Sequence, residues 1–170
     1  MKRVALGVLC LALSQAAFAQ DSGKTLVNIL VKHWQASKDF SIAVANAMPD
    51  DGYDFHATAA EMSYGEQMNH IALADANYCS AAIGAETPLA KSEDNQKTAA
   101  IQNLNMAYDY CIAGIEKMTD TDLLKPLTRN HRTTTAYELY WGAFTHAAHH
   151  RGQAEVYLRL KGVTPPSYKF

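Results

Sequence analysis

Apolar residues return every three or four positions through four long stretches of the chain, separated by polar segments rich in proline and glycine. From Thr25 to about Ala47, Leu26, Ile29, Leu30, His33, Trp34, Phe40 and Val44 keep helical spacing. Pro49-Asp50-Asp51-Gly52 predicts a turn after them. A short extended piece, Tyr53 to His56, leads into a second helix from about Ala60 to Ile83. Met62, Gln67, His70, Ile71, Ala74 and Tyr78 keep a helical spacing along it, and Gly84 is placed as its C-terminal cap. Ala85 to Asp94, with Pro88, reads as a linker. A third helix runs from about Asn95 to Met118, with Ile101, Leu104, Tyr108, Cys111, Ile112 and Ile115 inward, and Thr119-Asp120-Thr121-Asp122 closes it. Leu123 to Arg132 reads as irregular chain draped over one end. One of Thr133, Thr134 and Thr135 caps a fourth helix, and Glu138 stands three residues after Thr135, as a capping box requires. That helix continues to about Leu160; Gly162 stops it, and Pro165-Pro166 extend the tail. No strand-like alternation of useful length and no fixed-period repeat interrupts this pattern. The expected fold is all-α, a four-helix bundle.

Composition narrows the setting. A chain of 170 residues that is 48% hydrophobic suits one domain with a real core. A formal charge of -2 leaves no basic surplus for nucleic acid or anionic lipid. The N-terminus reads differently from the rest. Lys2 and Arg3 precede an apolar run from Val4 to Leu13, and Ala17-Phe18-Ala19 offers small residues where a signal peptidase reads. Residues 1–19 are therefore expected to be an export signal and residues 20–170 the folded domain, periplasmic or secreted. The run is shorter than the roughly 20 residues that span a bilayer. Cys10 follows Leu9 rather than a small residue, which argues against a lipid anchor. An oxidising compartment would allow Cys79 and Cys111 to pair; the alternative is two buried thiols acting as small hydrophobes.

The candidate chemistry lies in the histidines. On the fourth helix, Leu139, Ala143, His146, His150, Gln153 and Tyr157 fall in one stripe, with Arg151 and Glu155 pointing away from it. Two imidazoles four residues apart share a face and supply half of a divalent metal site, whereas one alone is more often a satisfied core residue. His70, mid-helix on the stripe of Gln67, Ile71 and Ala74, is the candidate third ligand. His149 competes with His150, His33 is a reserve ligand, and His56 and His131 sit in connecting segments. Gln67, Gln153 and Tyr157 are candidates to orient the imidazoles, against a plain packing role. Trp34, Tyr64, Tyr140 and Trp141 could shape a pocket or belong to the core.

Met68-Asn69-His70-Ile71-Ala72, with the much later run from His146 through His149-His150-Arg151-Gly152-Gln153 to Gly162 and Pro165-Pro166, resembles the DinB/YfiT-like superfamily of metalloenzymes over nearly all of the chain after residue 19. The resemblance implies a three-histidine metal site at His70, His146 and His150 and an up-down-down-up bundle with parallel second and third helices. It leaves the reaction open, since members range from thiol-dependent transferases to proteins with no assigned reaction. The cysteines bear on the topology. At about 1.5 Å per residue, Cys79 and Cys111 lie at similar heights above the starts of their helices, so only a parallel pair brings them within bridging distance.

Three readings of function follow. The first is a metal-dependent hydrolase or thiol-dependent transferase with zinc or nickel, or else iron or manganese, acting on a small molecule of unknown identity. The second is a non-enzymatic metal- or ligand-binding bundle. A haem bundle is a weaker third, because no Cys-x-x-Cys-His motif is present. Exposed apolar helix faces are compatible with a homodimer.

Overall fold

The computed structural model of the protein describes residues 23–129 and 131–168. The segment expected to be an export signal lies outside them. Four long helices carry the chain: α1 (Thr25–Ala47), α2 (Tyr64–Ile83), α3 (Lys97–Glu116) and, after a short α4 (Asp120–Leu124), α5 (Ala136–Leu160). Strands β1 (Pro126–Arg129) and β2 (Arg132–Thr135) form an antiparallel hairpin before α5, with Pro126 opposite Thr135. This corrects the expectation of irregular chain from Leu123 to Arg132. Four-residue strands are too short to alternate visibly, and their pairing is local.

Local chemistry sets the helix ends. The residue before Pro49 cannot stay helical without a clash, and Met48 is extended at ψ 128°. α2 begins at Tyr64 rather than near Ala60. The Ser63 hydroxyl accepts from the Glu66 amide at 3.2 Å, and the Glu66 carboxylate accepts from the Ser63 amide at 2.6 Å. The residues before this box are held out of the helix by a bridge between His56 and Ser63. α2 ends at Gly84, left-handed at φ 75°, where a Cβ would be strained. The expected box at α5 is present: the Thr135 hydroxyl accepts from the Glu138 amide at 3.1 Å, and Glu138 accepts from the Thr135 amide at 2.9 Å. Thr119 and Asp122 form the same arrangement, which starts α4 rather than merely closing α3.

Contacts between helices fix their directions. Lys24 Nζ donates to the Glu116 carbonyl at 2.7 Å and Lys97 Nζ to the Met48 carbonyl at 2.8 Å, so α1 and α3 are antiparallel. Asn103 donates to Asn69 at 2.9 Å near the starts of α3 and α2. Cys79 and Cys111 are bridged near their ends, with Cα atoms 5.3 Å apart. α2 and α3 are therefore parallel, and both run opposite to α1. α5 runs against α2, as the His70 to His146 and Met62 to Tyr157 contacts require. The order is up-down-down-up, with α2 packed between α3 and α5. Among the described residues no helix is long and apolar enough to cross a membrane.

The core is aromatic. Trp34 meets Tyr108, Tyr140 and Phe144 edge-on at 5.7, 6.1 and 6.3 Å. Trp34, Tyr64 and Tyr140 are fully buried in it, whereas Trp141 lies outside, stacked on Phe144. Ile29 and Tyr78, which keep the helical spacing of their apolar neighbours, are exposed. Arg151 does point away from the histidine stripe, but it enters the core rather than solvent. It is only 5% exposed, and its Nη1 donates to the Ser37 and Ser41 hydroxyls at 2.9 and 3.1 Å. Its guanidinium lies 4.8 Å over the Phe40 ring. The fully buried Asp75 feels the charge of Arg151 without a hydrogen bond to it. Burial holds the Asp75 carboxyl well above the usual carboxylate range, and the Arg151 charge pulls it the other way.

Candidate metal centre

α2 and α5 run antiparallel side by side, and their shared outer flank carries the histidines. His146 and His150 are one turn apart on α5, about 6 Å in rise, so their rings project together. His70 faces them from α2. The three ring centroids stand 4.9, 4.5 and 4.4 Å apart, and one ligand atom from each lies within 4.8 Å of the others. His70 Nε2 and His146 Nε2 are 3.2 Å apart. Two nitrogens bound to one tetrahedral ion at about 2.0–2.1 Å stand about 3.3 Å apart, so this pair already has the separation of two ligands on a single ion.

Gln67, one turn before His70, is 1% exposed. Its Oε1 is 2.8 Å from His150 Nδ1, and its Nε2 donates to Gln153 Oε1 at 3.2 Å. Tyr157 donates to the Met62 carbonyl at 2.9 Å, which makes it a packing residue rather than a partner of the imidazoles. His146 Nδ1 is buried with no hydrogen-bond partner.

The remaining histidines are elsewhere. His149 is exposed, its ring 4.9 Å from that of His150 but outside the group of three. His33 lines a cleft with Phe40, Ala148 and Arg151, on the face of α5 opposite the stripe. His56 bonds the Glu61 carbonyl in the loop before α2, and His131 sits in the hairpin turn at φ 63°. A cleft of about 310 Å³ adjoins His70, bounded by Met62, Glu66, Asn69, Leu73 and Lys91. None of the four aromatic residues considered from the sequence lines it.

The two imidazoles of α5 are held toward the neutral form. Burial, then the neighbouring histidines, lowers the His146 pKa; the same causes bring His150 down to about 4, and the acceptor side chain of Gln153 opposes them only in part. A depressed histidine pKa means that folding resists protonation. Its contribution to stability is therefore present above the ordinary value near 6.5 and is lost as pH falls through about 4. The denaturant midpoint of metal-free protein is expected to fall between these pH values, and less so in His150→Ala. Equal acid sensitivity in the two proteins would contradict this. Three imidazole nitrogens and no carboxylate suit zinc, nickel or iron, because imidazole binds all of them well.

The DinB family model matches residues 9–170. Two solved structures share the fold. A DinB-like protein from Bacillus subtilis is 20% identical with a TM-score of 0.71, covering 82% of this chain and 97% of that one. Another from Bacillus cereus is 15% identical with a TM-score of 0.71, covering 81% and 94%. Comparison with curated proteins finds no match.

Proposed function

The chain belongs to the DinB family, and from that premise we propose that it is a metal-dependent protein in which His70, His146 and His150 hold one divalent ion. Zinc or nickel is the first choice, with iron or manganese as alternatives. The observation that carries this reading is the convergence of three imidazoles from two helices, with ligand atoms within 4.8 Å of one another. When bound, such an ion lowers the pKa of a coordinated water or thiol and so supplies hydroxide or thiolate near neutral pH. The chemistry proposed is hydrolysis or thiol-dependent transfer on a small molecule.

The chain's own residues provide the surroundings. His70 forms part of the wall of the cleft beside Glu66, Asn69 and Leu73, so a small substrate reaches the histidines along the outer flank of α2. Asn69 is fixed there. Its Nδ2 donates to the Asp94 carbonyl and the Asn95 side chain at 2.9 and 2.8 Å, which ties α2 to the crossover segment that borders the cleft. We also place the protein outside the cytoplasm. The basic and apolar pattern of residues 2–19 supports this, as does the fully buried Cys79–Cys111 bridge, since such bridges persist in oxidising compartments.

Elemental analysis of protein purified without an affinity tag tests the reading. About one equivalent of a divalent transition metal per chain is expected. Protein that carries none and takes up neither added zinc nor added nickel would sink it. Metal present without turnover of any ester, amide or thiol substrate would favour the non-enzymatic binding bundle.

A further inference from the structure

Gln67 lies deeper than the three histidines and touches one of them. Its side chain is 1% exposed and is held at both ends, by His150 Nδ1 at 2.8 Å and by Gln153 Oε1 at 3.2 Å. A primary amide has distinct ends: the NH2 only donates and the oxygen only accepts. The NH2 directed at Gln153 Oε1 leaves the oxygen for His150, and an oxygen at 2.8 Å calls for a proton on Nδ1. A neutral imidazole carries one proton, so Nε2 is left with its lone pair.

We infer that Gln67 is a positioning residue. Its amide holds His150 as the Nδ1–H tautomer and turns Nε2 toward the other imidazoles, a role that rests on the metal-site reading above. The other imidazole of α5 has no such support. His146 Nδ1 is buried without a hydrogen-bond partner, so the two α5 ligands are prepared unequally. Turning both amides over would direct the Gln67 NH2 at Nδ1 and put the His150 proton on Nε2, so that the ring would have to change tautomer before Nε2 could bind an ion. The tautomer of His150 is therefore the decisive observable.

Long-range 1H–15N NMR of the metal-free full chain reads it directly. The expected result is the Nδ1–H form at His150. A predominant Nε2–H form in protein that binds zinc would overturn the role of Gln67 alone. Zinc titrations supply the second readout. Gln67→Met, similar in shape without a polar end, is expected to mix the His150 tautomers and weaken zinc binding roughly 10- to 100-fold, the usual effect of losing a partner behind a ligand. Gln67→Glu, whose carboxylate also accepts from Nδ1–H, is expected to bind zinc within a few-fold of wild type. Wild-type affinity in Gln67→Met would overturn the inference. Should Gln67→Met fail to fold, Gln153→Leu, at a half-buried position, is expected to free the Gln67 amide and mix the same tautomers; an unchanged Nδ1–H signal there would overturn it as well. A wild-type chain that binds no zinc but shows Nδ1–H would instead overturn the metal reading, and with it the purpose assigned to Gln67.

Discussion

His146→Ala and His150→Ala are each expected to reduce zinc or nickel affinity by more than the roughly 10- to 100-fold that follows loss of a residue behind a ligand, while His149→Ala leaves it within a few-fold. The contrast follows from placement. His146 and His150 bring ligand atoms within 4.8 Å of one another and of His70, and the neighbouring His149 is exposed outside that group. Thermal unfolding gives a parallel readout. At metal concentrations about 100 times the dissociation constant, wild type should gain about 2.7 kcal/mol, and the two ligand variants should gain almost nothing. In the absence of metal the three variants should unfold near wild type, apart from the cost of leaving Gln67 Oε1 without its donor in His150→Ala. Equal metal stabilisation of His150→Ala and wild type would remove His150 from the site, and loss of binding in His149→Ala would put the exposed histidine in its place.

The double replacement Cys79→Ala with Cys111→Ala is expected to lower stability by about 3 to 4 kcal/mol. Opening a loop that spans a sequence separation of 32 restores roughly that much conformational freedom to the unfolded chain. For a protein of this size that is a drop on the order of 10 °C in unfolding temperature. Both cysteines are fully buried where α2 meets α3, so reductant should act on the native protein slowly and on the unfolded protein at once. A midpoint within about 0.5 kcal/mol of wild type would mean that packing alone aligns the two parallel helices. Metal binding should persist in the double variant, because neither His146 nor His150 lies on a bridged helix and His70 is more than two turns from Cys79.

Much of this could be read from residues, and the parts that could not share a physical cause. The bounds of α1, the Thr135 cap with Glu138, the Gly84 stop and the three-histidine group all depend on interactions within a few residues or on the spacing of a helix face. Those signals survive in one dimension. The hairpin escaped because four-residue strands have no room for alternation, and the later start of α2 escaped because Ser63 and Glu66 compete with an equally helical preceding stretch. Arg151 escaped for a different reason. A charged residue off the apolar stripe reads as solvated; only the folded chain reveals the Ser37 and Ser41 hydroxyls and the Phe40 face that make its burial tolerable. The grip of Gln67 on His150 is likewise a contact between helices 83 positions apart, although a glutamine one turn before a candidate ligand was a fair signal to follow.

His150 and Arg151 are consecutive in sequence, yet one joins the outer histidine group and the other the core. A residue inserted or deleted in α5 between its Thr135 cap and His146 would turn everything beyond it by about 100°. The histidines would leave α2 and the guanidinium would leave its serines in the same movement. This stretch of α5 should therefore accept many substitutions and almost no change of length, and descendants of this chain would vary its letters while keeping their number.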